Sequence, residues 1–96
     1  MTEPTYQYAL PFILTTTGLV DTGAFCVTGI VVSSHTNGTL KLWDNTAGSG
    51  TVLVDTYTFP AGSGTYPLFG IKSLVGIYAT VGGTLNATLA YTPYKG

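Results

Sequence analysis

His35 is the one histidine of this chain, and it directly follows Ser33 and Ser34. Its imidazole could serve as a general base near neutral pH. A hydrolytic Ser-His pair needs its side chains to converge in space, however, and neighbours along a strand point to opposite faces. The sequence also lacks the Gly-x-Ser-x-Gly nucleophile elbow. We therefore interpret His35 as a histidine beside a turn, and we expect a protein that is not an enzyme.

The acidic residues offer a second kind of chemistry, a weak calcium site. If Asp44 and Asp55 are neighbours across the hairpin, carbonyl groups of the loop 45–50 could complete a set of oxygen ligands for Ca²⁺. The simpler interpretation is that Asp44 and Asn45 cap the turn with their side-chain oxygens. Cys26 lies in an apolar segment and is predicted to be an inert core residue. We expect no metal, no cofactor and no small-molecule substrate.

Charge is scarce, because charged residues make up only 7% of the 96-residue chain. Binding to nucleic acid or to an anionic membrane surface needs clustered basic side chains, and three lysines cannot provide them. The sequence contains no apolar run of about 18 residues and no signal-peptide pattern, so we expect a protein made and kept in a cytoplasm, or assembled there into something larger. A surface with so few charges favours self-association, and a homo-oligomer is expected.

The segment 38–59 shows which elements must hold these residues. It contains two runs with a period of two around a small Gly/Ser loop, which predicts a β-hairpin. Asn37-Gly38 and Gly82-Gly83 are dipeptides typical of tight hairpin turns. Further alternating runs predict about seven or eight strands and no helix. The expected fold class is all-β, a small antiparallel β-sandwich of jelly-roll or immunoglobulin-like type.

The predicted core consists of the inward-facing positions of these strands. They are Phe25, Val27, Ile30, Val32, Leu40, Leu42, Leu53, Ile77, Ala79, Leu85 and Leu89. Trp43 shares a face with Lys41, so it is predicted to lie outside the inner layer. There it is either an anchor for a protein partner or covered by the N-terminal arm of its own chain.

Residues 1–14 are predicted to form an extended N-terminal arm, and residues 15–96 a single β-sandwich domain. Apolar side chains recur at every second position of this arm, and Pro11 restricts it to the edge of a sheet or to a place outside the sheet. The arm either closes its own sandwich or packs on a neighbour. The residues predicted to make protein–protein contacts are Tyr6, Tyr8, Leu10, Phe12 and Trp43.

The segment 38–53 carries a resemblance to a protein family. It reads Gly-Thr-Leu-Lys-Leu-Trp-Asp-Asn, a short Gly/Ser loop, and Gly-Thr-Val-Leu. This resembles small virion proteins of tailed bacteriophages, in which a Gly-Thr-aliphatic-x-aliphatic-aromatic-Asp strand precedes a Gly/Ser loop and a Gly-Thr-Val-aliphatic strand. Residues 82–91 are similar to their terminal strand. The resemblance covers roughly residues 22–92 and does not include the arm.

The resemblance implies a non-enzymatic structural role as a head decoration (cement) protein, a head fibre or a small tail component. We expect a decoration protein, with a homotrimer favoured, that binds the major capsid protein on the outside of the virion and is assembled in the bacterial cytoplasm. The alternative is a carbohydrate- or host-binding module of a fibre or tail, in which aromatic rings stack on sugars. Polar groups that could orient sugar hydroxyls are sparse in this sequence.

Overall fold

The computed structural model describes residues 10–93, apart from the side chains of residues 68 and 69. This part of the chain forms six antiparallel β-strands, which confirms the predicted all-β fold class. The strands are β1 (Leu10–Leu14), β2 (Gly18–Thr22), β3 (Phe25–Asp44), β4 (Thr51–Thr58), β5 (Gly64–Ser73) and β6 (Gly76–Pro93). Within the described range, no helix has the length and apolarity to cross a membrane.

Two long strands form the centre of the sheet. β3 and β6, of 20 and 18 residues, pair with each other from Phe25 opposite Pro93 to Trp43 opposite Tyr78. β1 and β2 pair with the two ends of β6, and β5 and β4 pair with the two ends of β3. The sheet therefore has a β1/β5 half and a β2/β4 half, each four strands wide, joined through the middle of β3 and β6.

The predicted hairpin turns at Asn37-Gly38 and Gly82-Gly83 are wrong. Both dipeptides lie inside long strands, almost opposite each other, where the register of β3 and β6 shifts. Asn37 and Gly83 have φ angles of 52° and 67°. Positive φ produces a β-bulge as readily as a turn, and a bulge bends a strand and increases its twist. Each dipeptide thus joins two predicted strands into one long strand within the described residues.

The bend brings the two halves of the sheet together around a single apolar core, in a sandwich-like arrangement. Leu14, Val27 and Leu89 from the β1/β5 half and Leu42 and Ile77 from the β2/β4 half belong to one cluster of fully buried side chains. Every residue of the predicted core is buried except Leu53, which is half-buried against it. The alternation of these residues therefore identified the inner faces of β3 and β6.

Part of the predicted arm belongs to the sheet. β1 is an edge strand on β6, in keeping with the prediction from Pro11. Leu14 is fully buried and Phe12 is half-buried against the core of its own chain. This part of the arm therefore closes its own sheet. Tyr6 and Tyr8 lie outside the described residues.

Gly18–Thr22 forms strand β2, and its Val20 contributes to the core. One further prediction needs correction. Cys26, expected in the core, is half-buried and free, because the neighbouring Phe25 and Val27 take the inward positions of β3.

A hydrogen bond joins the two halves at one end of the core. The hydroxyl of the buried Tyr91, in the β1/β5 half, donates to Oδ2 of Asp21 on β2 at 3.0 Å. Burial raises the pKa of Tyr91 above 10.0, and the hydrogen bond and negative charge of Asp21 raise it further. The unfolded chain therefore loses this proton first as the pH rises, so this contribution to stability is complete below pH 10.0 and declines above it.

Candidate interaction surfaces

An apolar row crosses all four strands of the β2/β4 half on its outer face. Leu19 of β2 lies opposite Tyr78 of β6, Tyr78 opposite Trp43 of β3, and Trp43 opposite Val52 of β4. We call these four residues the outer row. Leu19 and Val52, at its two ends, are 43% and 39% exposed. An unbroken line of large apolar side chains on a solvent-facing sheet is typical of a surface that meets a partner.

Trp43, at the centre of the outer row, is fixed in place by polar contacts. Its Nε1–H donates to Oγ1 of Thr80 at 3.0 Å. The ammonium group of Lys41 lies 4.3 Å from the centre of the indole ring, a cation–π contact, and also forms a salt bridge of 3.7 Å with Asp55. As the strand alternation predicts, Trp43 lies outside the core formed by Leu40 and Leu42. The indole ring therefore has little conformational freedom to lose, which is a property of side chains that anchor interfaces.

The turn between β5 and β6 presents two apolar side chains at the end of the same half. Leu74 and Val75 are 60% and 51% exposed. One carboxylate oxygen of Asp44, at the end of β3, accepts hydrogen bonds from the backbone N–H groups of Leu74, Val75 and Gly76, at 3.0, 2.8 and 3.3 Å. The expected capping role of Asp44 is therefore real, but the turn that it caps belongs to a different hairpin from the predicted one.

These contacts also set the charge of Asp44. Partial burial raises the pKa of its carboxyl, but the three backbone N–H groups outweigh burial and hold the pKa below the ordinary 3.8. A carboxyl whose pKa is depressed by folding stabilises the protein above its unfolded pKa, and the contribution is lost as the pH falls through the folded value.

Replacing Asp44 by alanine is therefore expected to lower the free energy of unfolding at neutral pH by about 1–3 kcal/mol, since three N–H groups lose a charged acceptor. The difference between wild type and Asp44→Ala should shrink below pH 3.8. Urea denaturation of both proteins, at neutral pH and below pH 3.8, measures this difference. Asp55→Asn is the control, because Asp55 is exposed and its salt bridge is worth at most about 1 kcal/mol. An equal loss for both variants would refute the capping role.

A second surface is an apolar cleft of about 250 Å³ beside the bend of β3. It opens between β4 and β5, which lie on the side of β3 away from β6. We call it the edge cleft. Its lining residues are Ile30, Leu40, Val54, Tyr57, Phe59, Tyr66 and Pro67.

Three aromatic rings form one wall of the edge cleft. Phe59 lies 5.3 Å from Tyr57 and 5.2 Å from Tyr66 between ring centres, and the two tyrosines are 5.8 Å apart. The edge-to-face and tilted geometries are those that aromatic pairs prefer. Phe59 is only 4% exposed, whereas Tyr57 is 44% exposed. The cleft therefore has a buried floor and an accessible aromatic rim.

His35 supports this wall from behind. Its Nδ1 accepts from the backbone N–H of Gly38 at 3.0 Å, and its Nε2 lies 2.6 Å from the carbonyl oxygen of Pro60. These partners define the tautomer, because the nitrogen that accepts from an N–H cannot carry the proton. Both ring nitrogens are thus engaged with backbone groups, and the ring packs 5.8 Å from Phe59. This geometry suits a structural histidine beside a bend.

The two aspartates considered for calcium binding have separate roles. Asp44 contacts the β5–β6 turn, and Asp55 contacts Lys41. Asn45 caps its own loop, since its side chain accepts from the N–H of Thr46 and donates to the carbonyl of Ser49. Within residues 10–93, no group of three or more His, Cys, Asp and Glu side chains is placed to hold a metal ion.

The predicted contact residues are distributed unevenly over these surfaces. Trp43 lies in the outer row, Leu10 is partly exposed at the start of β1, and Phe12 packs on its own core. Strand parity identified Trp43, but the partners of Trp43 in the row depend on a register that only the folded sheet defines. The edge cleft was missed, although the aromatic run Tyr57-Thr58-Phe59 was a signal for it.

Comparison of the chain with protein-family models, with curated proteins and with solved structures gave no match.

Proposed function

We propose that this chain is a non-enzymatic virion structural protein, a decoration protein that binds the major capsid protein on the outside of a phage head. The observation that carries the proposal is the outer row, an apolar line four strands wide on a solvent-facing sheet. The resemblance of residues 38–53 to small virion proteins supports it and supplies the class of partner. An oligomer, with three copies favoured, multiplies the number of such contacts on a capsid.

The outer row suits a capsid partner better than a soluble ligand. It lies on the face of the sheet away from the core, and Trp43 at its centre is held by a hydrogen bond to Thr80. Contacts of this kind gain affinity by burying apolar area, at about 25 cal/mol per Å² before the costs of association. The exposed Leu74 and Val75, held by Asp44, add apolar area at the end of the same half.

A carbohydrate-binding role, the second candidate, has one observation in its favour, the aromatic rim of the edge cleft. Sugar sites also need polar side chains that orient hydroxyl groups. The lining of the edge cleft is apolar except for two tyrosine hydroxyls. The ring of Trp43 is already contacted by the ammonium group of Lys41. A glycan array tests this candidate, and binding that is lost on Tyr57→Ala would favour it over capsid decoration.

Trp43→Ala is expected to weaken binding to capsids by roughly thirtyfold, because truncating a central aromatic anchor costs about 2 kcal/mol or more. Co-sedimentation with heads assembled from the major capsid protein of the same genome measures the loss. Ile13→Ser is the matched control, since Ile13 is 63% exposed but lies on the β1/β5 half, away from the outer row. Equal binding by Trp43→Ala and wild type would overturn the role of the outer row. A genome without a capsid gene would remove the proposed partner.

A further inference from the structure

We propose that the edge cleft binds the N-terminal segment of a second copy of this chain, residues 1–9, with the tyrosines of that segment packing against Tyr57 and Tyr66. The inference goes beyond capsid decoration, because it concerns how copies of the chain join one another. It depends on the position of the cleft, on the direction of β1 and on the chemistry of the segment.

The direction of β1 argues for a second copy. β1 begins with Leu10 opposite Tyr91, near the end of the sheet, and runs towards the bend. β1 therefore starts on the side away from the bend, whereas the edge cleft lies beside the bend, between Ile30 and Leu40. β1 and β5 are also opposite edges of their half, three strand spacings or about 14 Å apart.

Reach alone does not decide between the two copies, because nine extended residues span at most about 30 Å. Reaching the cleft of its own molecule requires the segment to reverse its direction and cross the sheet. A neighbouring molecule can be placed so that no reversal is needed. The geometry therefore favours exchange between copies over closure within one.

The chemistry of the segment matches the cleft. Tyr6 and Tyr8 are two residues apart, so in an extended chain both rings project to one side. The cleft offers Tyr57 and Tyr66 as aromatic partners, and no charged side chain lines it. Its volume of about 250 Å³ is below the usual range for small-molecule sites, about 300–1,000 Å³, and suits the insertion of a side chain.

The backbone of β4 can also contribute hydrogen bonds to binding of the segment. β4 is an edge strand, so its outer N–H and C=O groups are available to an added strand, the mode of recognition called β-augmentation. β5, on the other side of the cleft, contains Pro67, which lacks an N–H donor. We therefore expect the segment to pair along β4, beside Tyr57.

Two full-length variants test the proposal, one altered in the segment (Tyr6→Ser with Tyr8→Ser) and one in the cleft (Tyr57→Ser). Sedimentation velocity should show an oligomer for the wild type and at least a tenfold weaker association for each variant. Ile13→Ser, altered at an exposed residue outside both the outer row and the edge cleft, should associate like the wild type. Denaturant unfolding checks that Tyr57→Ser, altered at a residue 44% exposed, remains folded.

Mixing the two variants gives the decisive result. The segment variant keeps an intact cleft and the cleft variant keeps an intact segment, so an equimolar mixture should form a 1:1 dimer. A monomeric wild type, unchanged association of either variant, or a mixture that stays monomeric would each overturn the proposal. None of these measurements involves a capsid. A result that refutes binding of the segment in the cleft therefore leaves the decoration role untouched, and co-sedimentation tests that role separately.

Discussion

Replacing Gly83 by alanine is expected to lower the free energy of unfolding by at least about 3 kcal/mol, a large part of the 5–15 kcal/mol of a typical domain. Gly83 has a φ of 67°, where an L side chain is strained. A Cβ there would also collide with the carbonyl oxygens of Thr36 and Asn37 on the neighbouring strand. Backbone carbonyls in a paired strand cannot move aside without breaking the bend that folds the sheet over its core.

Two other glycines separate the cost of backbone strain from the cost of the steric collision. Gly62 also has a positive φ, of 96°, but nothing lies within 4 Å of the place that a Cβ would take, so Gly62→Ala measures backbone strain alone. Gly18 has neither constraint, and Gly18→Ala should be neutral within about 0.5 kcal/mol or slightly stabilising. Urea denaturation followed by Trp43 fluorescence ranks the three. If Gly83→Ala costs no more than Gly62→Ala, the close approach of β3 and β6 at the bend is not as described.

The bend of β3 and β6 could not be predicted from the sequence. Asn37-Gly38 and Gly82-Gly83 are dipeptides that tolerate positive φ, and Asn37 and Gly83 do have positive φ. Positive φ alone does not distinguish a reversal of the chain from a bulge within it. The distinction depends on which segments pair, and pairing across a β-sheet is non-local. Local pattern therefore predicted the all-β class and the inner faces of the two long strands, whereas connectivity required the fold.

The non-local nature of strand pairing also explains why the outer row and the hydrogen bonds of Asp44 could not be predicted from the sequence. The outer row consists of residues from four strands that come together only through their register, so no local motif contains it. The three N–H groups bound by Asp44 lie about 30 residues further along the chain, which a capping motif within one turn cannot predict. Trp43, in contrast, could be placed outside the core because one strand and a period of two suffice for that.

Phe59→Ala is the second change with a large expected effect. Phe59 is buried, contacts three rings, and its N–H donates to the carbonyl of Gly38 at 3.0 Å, which ties the end of β4 to the bend. Truncating a buried phenylalanine costs about 3–5 kcal/mol. We expect the lower end of that range, because the space left behind joins an open cleft that water can enter.

Phe59→Leu and Tyr57→Ala complete this test. Phe59→Leu keeps most of the apolar volume and should cost less than about 1.5 kcal/mol. Tyr57→Ala should change stability little, since its ring is 44% exposed, while it weakens association of the chain. The floor of the cleft should thus control folding and its rim should control binding. If Phe59→Ala and Tyr57→Ala lower the urea midpoint equally, the edge cleft is an ordinary part of the core and not a surface prepared for a partner.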